Sequence, residues 1–165
     1  YLCGGDPEIQ RLYVKGYVTV KGHDIAIFDV HLQPRNFGGE EGRNQAFAEL
    51  AELMSKEEYA VAMGDMNVEE GLHEYDLMLS YGYNMANGGV FGSFNTYEYG
   101  TTDYIDNIFT TNNIEIVYAE SEPGMVGASD HYPMSAYLFV KDEQHTNKNP
   151  NSIAEDGYME GWYKP

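Results

Sequence analysis

The 165-residue chain has few basic residues, with 9 Lys and Arg against 27 Asp and Glu, and a formal net charge of −18. A protein that holds nucleic acid through a basic surface contacts phosphates with Lys and Arg, so this balance argues against that class. It does not exclude an enzyme that meets phosphate groups through bound metal cations, because such an ion reverses the local field.

The chain also has little cysteine and no long hydrophobic run. Cys3 is the single cysteine, which excludes a disulfide framework and a cysteine-based zinc site. No run approaches the roughly 20 apolar residues of a membrane span. No signal-peptide pattern is present and the first residue is Tyr1 rather than Met, so we expect that upstream residues were removed or that the chain is a fragment. At 42% hydrophobic residues, the sequence is sufficient for one domain with a core.

Hydrophobic patterning in the first half predicts a hairpin followed by a helix and a strand. Residues 13–20 and 25–30 flank a turn at 21–24 and are predicted to pair. A helix is predicted over residues 43–59, where one face carries Phe47, Leu50, Ala51 and Met54. A strand follows at 59–63. The succession of strand, helix and strand is typical of a parallel or mixed sheet, which predicts the α/β class.

The second half predicts a shorter helix and further strands. The helix spans residues 71–80, with Leu72, Tyr75 and Leu79 inward and Gly82 as its stop. Strands are predicted over 104–110, 114–119 and 134–140, and a short one near 90–94. The long loop of residues 82–100 has the length typical of a substrate loop. Residues 141–165 are polar and lack periodicity, which predicts a tail after a domain at residues 1–140.

Polar residues follow the apolar run Val61 to Met63, which ends in Gly-Asp-x-Asn. Asp65 and Asn67 are two residues apart, so on an extended backbone their side chains point the same way. A carboxylate beside a neutral amide can hold a hard cation or orient a water against an electrophile. Taken alone, the stretch is also typical of a strand that ends in an Asx turn.

Three other strand ends carry polar groups. His31 ends one strand, Asp106 lies within an apolar stretch, and Ser129-Asp130-His131 precedes the last strand. A charged residue inside a strand is costly unless it is paired, and His131 is a natural partner for Asp106. The carboxylate would fix the tautomer of the imidazole, while Asp130 would point elsewhere, for instance at a metal. Each residue alone has a plainer explanation: a capped strand end, a turn, or a Lys or Arg partner for Asp106.

In order, the four motifs are His-Leu, Gly-Asp-x-Asn, Ile-Asp-x-Ile and Ser-Asp-His, and together they resemble the C-terminal part of the endonuclease/exonuclease/phosphatase superfamily. This group includes pancreatic deoxyribonuclease, apurinic endonucleases, neutral sphingomyelinases, inositol polyphosphate 5-phosphatases and deadenylases. The resemblance covers residues 11–140, and Arg43-x-Gln45 is similar to an Arg and Gln pair common there, with imperfect spacing. It implies a layered α/β sandwich of the deoxyribonuclease-like type.

The resemblance further implies a metal-dependent hydrolase of phosphodiesters or phosphomonoesters. His31 would bind a non-bridging phosphate oxygen or protonate the leaving oxygen. Asp65 would orient or deprotonate the attacking water, and Asn67 would hold the phosphate or the metal. Asp106 would orient His131, which would serve as a base or a phosphate ligand. A cation would neutralise the anionic ester while the oriented water attacks in line.

The implied cation is Mg²⁺ or Mn²⁺, with Asp130, Asp65 and Asn67 as its ligands. The superfamily also has an Asn and a metal-binding Glu in its N-terminal half, and the chain starts too late to hold them; Glu8 is a poor substitute. We therefore expect an incomplete sandwich whose N-terminal sheet is missing. The missing half would be a separate chain or would have been cut away, and the exposed apolar face would favour aggregation or assembly.

The acidic composition favours a small phosphoester or a lipid head group over long duplex DNA as the substrate, and residues 82–100 are where we expect substrate choice to be made. An alternative is a catalytically incomplete fragment that acts as a binding or assembly module. The missing Glu supports it, and the complete set of six polar residues speaks against it. A third alternative is an unrelated α/β domain with chance motifs.

Overall fold

The computed structural model describes residues 11–34, 39–68, 73–88, 92–96, 101–122 and 129–141. The predicted loop at residues 1–10, with Glu8, and the predicted tail from residue 142 onward lie outside these ranges. In chain order, the elements are β1 (Tyr13–Val20), β2 (His23–His31), α1 (Gly39–Ser55), β3 (Ala60–Asp65), α2 (His73–Ser80), β4 (Asn84–Met85), β5 (Phe94–Thr96), β6 (Thr101–Asp103), β7 (Asp106–Thr110), β8 (Ile114–Ser121) and β9 (Met134–Val140). Neither helix in the described part is long and apolar enough to cross a membrane.

Five strands form one mixed sheet in the order β1-β2-β3-β7-β4. β1 and β2 form the predicted antiparallel hairpin. β3 runs parallel to β2, and α1 connects the two, so the predicted strand–helix–strand crossover is confirmed. β7 then runs antiparallel to β3. The pairs β5-β6 and β8-β9 form two smaller antiparallel sheets.

The two faces of the main sheet are covered by different layers, because side chains alternate along each strand. One face packs on the helices through a cluster that includes Phe28 and Phe47. The opposite face packs on the β8-β9 hairpin through a cluster that includes Val61, Ile108 and Val140. Helices, mixed sheet and hairpin are thus layered, and the predicted α/β class is confirmed.

The buried face of α1 is the one predicted from periodicity, with Phe47, Leu50, Ala51 and Met54 each fully buried. The helix begins and ends earlier than residues 43–59. In α2, Tyr75 is buried as predicted, but Leu79 is 45% exposed, and Leu72 lies outside the described residues. The inward position of Leu79 is therefore wrong. Tyr75 and Met78 face the core, and Leu79 lies about 100° further around the helix.

The predicted loop of residues 82–100 contains more regular structure than expected. β4 pairs with the end of β7. β5, which pairs with β6, begins at Phe94, the last residue of the short strand predicted near residues 90–94, and residues 90 and 91 lie outside the described ranges. The predicted strand at 104–110 starts two residues later, at Asp106. The predicted strand at 134–140 coincides with β9.

Candidate active site

Three of the predicted site residues lie side by side across three neighbouring strands. His31 pairs in register with Asp65 between the parallel strands β2 and β3. Asp65 in turn lies opposite Asp106 between the antiparallel strands β3 and β7. Laterally paired residues share a face of the sheet, here the face on which the β8-β9 hairpin packs. The three strand ends therefore form one polar row.

Gly64 allows this row to form. Its φ is +138°, and a Cβ atom at this position would lie 1.9 Å from the carbonyl oxygen of Val30. Only a residue without a side chain lets β3 run so close to β2 at this level. The glycine of the Gly-Asp-x-Asn motif is thus what brings Asp65 beside His31.

The carboxylate of Asp65 lies between two histidines. Its Oδ2 is 3.4 Å from His31 Nε2 and 3.8 Å from His131 Nε2. The pKa of the Asp65 carboxyl is raised, chiefly by burial and further by the charge of Asp106. The hydrogen bond from the Asn67 backbone N–H and the two histidines lower this pKa in part. A carboxyl group with a raised pKa is a stronger base once ionised, which suits a group that takes a proton from water.

His131 is held by the carboxylate of Asp106, as predicted. His131 Nδ1 is 2.8 Å from Asp106 Oδ2, and both side chains are mostly buried, at 29% and 16% exposure. Because Nδ1 faces Asp106, Nε2 is the ring nitrogen that faces Asp65, at 3.8 Å from its Oδ2. Asp106 is the first residue of β7 rather than an interior residue of its strand, so the reason given for its need of a partner was only partly right.

Asn67 does not continue the strand. β3 ends at Asp65, Asn67 has a φ of +51°, and its N–H donates to Asp65 Oδ1 at 2.8 Å. The extended backbone assumed for these two residues is therefore wrong, and the stretch forms the alternative Asx turn. The Asn67 side chain donates from Nδ2 to the carbonyl oxygen of Leu32 at 2.9 Å, which ties the turn to the end of β2.

Asp130 is exposed. The residues on either side of it are hydrogen-bonded to each other, because Ser129 Oγ accepts the backbone N–H of His131 at 3.0 Å. The oxygen donors of Asp65, Asn67 and Asp130 are of the type that Mg²⁺ prefers. However, the described residues contain no cluster of three or more His, Cys, Asp or Glu side chains that could hold a metal ion. The assignment of Asp65, Asn67 and Asp130 as metal ligands therefore stays a prediction.

Arg43 and Gln45 have separate environments. Arg43 is 5% exposed and forms a buried ion pair with Glu74, with Arg43 Nη2 2.6 Å from Glu74 Oε1. Gln45 lies on the outer side of α1 and donates to Glu49. Sequence reasoning missed Glu74, because a glutamate in a short helix carries no local sign of burial. It also missed Ser93, which is fully buried beside Asp106.

Comparison with known proteins yields similarity at the level of structure. No family model matches the chain, and no curated protein matches it. A mannosyl-6-phosphatase of Bacteroides thetaiotaomicron VPI-5482 is similar, with 20% identity and a TM-score of 0.63 over 78% of this chain and 57% of that one. An endonuclease/exonuclease/phosphatase family protein of Bacteroides thetaiotaomicron has 21% identity and a TM-score of 0.66 over 84% and 57%. A double mutant of β-toxin from Staphylococcus aureus with bound magnesium ions has 20% identity and a TM-score of 0.60 over 82% and 60%.

The chain therefore shares its fold with these proteins, one of which is named as an endonuclease/exonuclease/phosphatase family protein, and the predicted resemblance is confirmed at the level of the fold. It spans about three-fifths of the length of the three structures described above, at 57%, 57% and 60%. Nothing in these similarities supports a separate chain as the carrier of an N-terminal half.

Proposed function

We propose that the chain carries the histidine and aspartate residues of a metal-dependent phosphoesterase that hydrolyses a phosphomonoester or a phosphodiester with an activated water. The supporting observation is that both histidines approach one carboxylate oxygen, Asp65 Oδ2, at 3.4 and 3.8 Å. These residues come from three separate segments of the chain, so their convergence depends on the fold and not on local sequence.

In the proposed reaction, the oxygen of water forms a bond to phosphorus while the ester P–O bond breaks. Asp65 orients this water and accepts its proton, and a protonated histidine donates a proton to the leaving oxygen, so the protons balance. His31, the more exposed of the two histidines with 55% of its side chain accessible, is proposed to contact the leaving or a non-bridging oxygen. Asp106 orients the His131 ring toward the phosphoryl group through the 2.8 Å contact of its Oδ2 with His131 Nδ1.

A bound Mg²⁺ or Mn²⁺ would neutralise the charge of the phosphoester, with Asp65, Asn67 and Asp130 as proposed ligands. The magnesium ions in the similar β-toxin structure support this proposal. Because the chain has a net charge of −18, we propose a small phosphoester or a lipid head group as the substrate in preference to duplex DNA. The similarity to a phosphatase named for a mannosyl phosphate supports a small substrate.

The test is hydrolysis of p-nitrophenyl phosphate and bis-p-nitrophenyl phosphate with Mg²⁺, Mn²⁺ or EDTA, using the chain and a version extended upstream. Asp65→Ala and His131→Ala should each abolish turnover in the active version while its thermal unfolding stays cooperative. His23→Ala is the control, because His23 lies at the opposite end of β2 from His31 and packs on Tyr59 at 4.4 Å between rings. Turnover that survives both active-site substitutions would contradict the proposal.

A catalytically incomplete binding or assembly module is the second candidate. It is favoured by apolar side chains of β1, because Val14 and Val18 are 67% and 47% exposed. Both lie on the polar row's side of the sheet, since they pair with Asp29 and Ile25 of β2. If neither version of the chain hydrolyses either ester while the chain is folded, this candidate replaces the enzymatic one.

A further inference from the structure

Ser93 is hydrogen-bonded to Asp106 and to the residue that follows His131. Its Oγ accepts the backbone N–H of Asp106 at 2.9 Å. Its carbonyl oxygen accepts the backbone N–H of Tyr132, the residue after His131, at 2.6 Å. The side chain is fully buried. One residue is therefore hydrogen-bonded to the segment that carries the carboxylate and to the segment that carries the imidazole.

Phe94, the next residue, restricts the imidazole itself. Its ring centroid lies 4.8 Å from that of His131, with 54° between the ring planes. The two residues also form an isolated antiparallel bridge through their backbones. The ring contact and the bridge together limit both the position of the His131 backbone and the rotation of its side chain.

Strand pairing within a sheet does not link Asp106 to His131. Asp106 begins β7 in the five-stranded sheet, whereas His131 lies three residues before β9 in the β8-β9 sheet. The distance of 2.8 Å between Asp106 Oδ2 and His131 Nδ1 thus depends on contacts between two sheets. Ser93 and Phe94 supply hydrogen-bond and ring contacts of this kind next to the pair.

We infer that Ser93 is a positioning residue. It holds Asp106 and His131 at the distance and orientation at which they form their hydrogen bond and at which His131 Nε2 points toward Asp65. The inference rests on the proposed function where catalysis is concerned, and on geometry alone where the His131 ring is concerned. Displacement of a catalytic group by about 1 Å can lower a rate about 100-fold. Loss of the buried Ser93 hydroxyl can therefore lower the rate of the chemical step if it displaces His131.

The decisive variant is Ser93→Ala, which removes the Oγ acceptor and retains the backbone carbonyl. Ser121→Ala is the matched control, because Ser121 Oγ donates to the carbonyl oxygen of Gly92 at 3.0 Å and touches neither Asp106 nor His131. Two kinds of measurement are made on the chain, or on the version extended upstream if only that version hydrolyses an ester. The first is steady-state kinetics, which gives kcat and KM, and the second is the ¹⁵N chemical shifts of the His131 ring, which report its tautomer.

Ser93→Ala is expected to lower kcat about 10- to 100-fold with little change in KM, and to shift the ring ¹⁵N resonances toward a mixture of tautomers. Phe94→Leu should do the same to a smaller extent, and Ser121→Ala should change neither property. If the alanine variant does not fold, Ser93→Cys keeps nearly the same volume with a weaker acceptor and is judged by the same criteria.

Ring resonances in Ser93→Ala that match those of the unmodified chain would overturn the inference, as would a kcat no lower than that of Ser121→Ala. If the unmodified protein hydrolyses no ester but the resonances still shift in Ser93→Ala, the proposed function fails and the positioning role stands. The two conclusions are therefore tested separately.

Discussion

His31 and Asp65 are lateral partners at the ends of two parallel strands, and their side chains meet at 3.4 Å between His31 Nε2 and Asp65 Oδ2. The carboxylate is mostly buried, at 14% side-chain exposure, and has the second carboxylate, Asp106, opposite it in the next strand. Burial of the Asp65 carboxylate next to a second carboxylate costs folding free energy. Carboxylates in such unfavourable environments are typical of functional sites.

Asp65→Asn is expected to abolish turnover and to stabilise the metal-free protein at pH 8. The folded-state pKa of Asp65 is raised above its ordinary value of 3.8, so ionisation of the buried carboxyl begins to oppose folding as pH rises above 3.8, and the effect is complete above the folded pKa. The neutral amide removes this opposition, so the Tm of the variant should rise, and in a domain of this size every 1 kcal/mol of stabilisation corresponds to about 2–4 °C.

Thermal unfolding in EDTA at pH 8 and pH 5 checks this prediction. The stabilisation should be smaller at pH 5, because the raised pKa brings the buried Asp65 carboxyl closer to its neutral form as pH falls. Asp29→Asn is the control, because Asp29 is exposed on the neighbouring strand. A lower Tm for Asp65→Asn at pH 8 would show that the carboxylate stabilises the fold instead.

Glu74→Gln is expected to destabilise the protein by about 3–5 kcal/mol, because it leaves the charge of Arg43 buried without its partner. Arg43 and Glu74 are 5% and 0% exposed, and Arg43 Nε donates to Glu74 Oε1 at 2.7 Å. The double variant Arg43→Met/Glu74→Gln should recover part of the loss, since it removes both charges.

Urea unfolding of the two single variants and the double variant forms the cycle that measures this coupling. The exposed pair of Glu52 in α1 and Lys56, the residue after the helix, is the control, and Glu52→Gln should change stability by less than about 1 kcal/mol. Additive effects of Arg43→Met and Glu74→Gln would contradict the prediction.

Gly64→Ala is expected to destabilise the protein by more than about 2 kcal/mol and to abolish activity. The new Cβ would lie 1.9 Å from the carbonyl oxygen of Val30, so β3 must move away from β2 and carry Asp65 away from His31. Gly16→Ala is the control, because no atom lies within 4 Å of a Cβ built there. Urea unfolding with the ester assay measures both effects, and a fully active Gly64→Ala variant would show that the row tolerates displacement.

Removal of divalent cations is expected to abolish turnover, and addition of Mg²⁺ should restore it and raise Tm through preferential binding to the folded state. Asp65→Ala should weaken the Mg²⁺-dependent rise in Tm. Thermal unfolding across a Mg²⁺ titration measures this, with Asp24→Ala, at the far end of β2, as the control. Unchanged turnover in EDTA would exclude a metal-dependent reaction.

Much of the candidate site could be predicted from the sequence, because strand ends and motif order are local properties. The apolar run before Asp65 marks a strand that ends in polar groups, and a carboxylate at Asp106 needs a partner such as His131, which the structure places at 2.8 Å. The position of β9 also followed directly from its composition. These inferences needed no knowledge of how the sheets pack.

Other features were decided by the tertiary structure. The Asx turn at Asn67 replaced an extended backbone, and Leu79 faces outward because Tyr75 and Met78 occupy the core. The contacts of Ser93 with the Asp106 and His131 segments, and the burial of Glu74 against Arg43, join residues that lie 13 or more positions apart. Sequence by itself determined which polar groups stand at the strand ends. Which of these polar groups contact one another was decided by the packing of the sheet on the hairpin and of the helices on each other. Such contacts depend on strand register and on the geometry of the layers, which local sequence patterns do not encode.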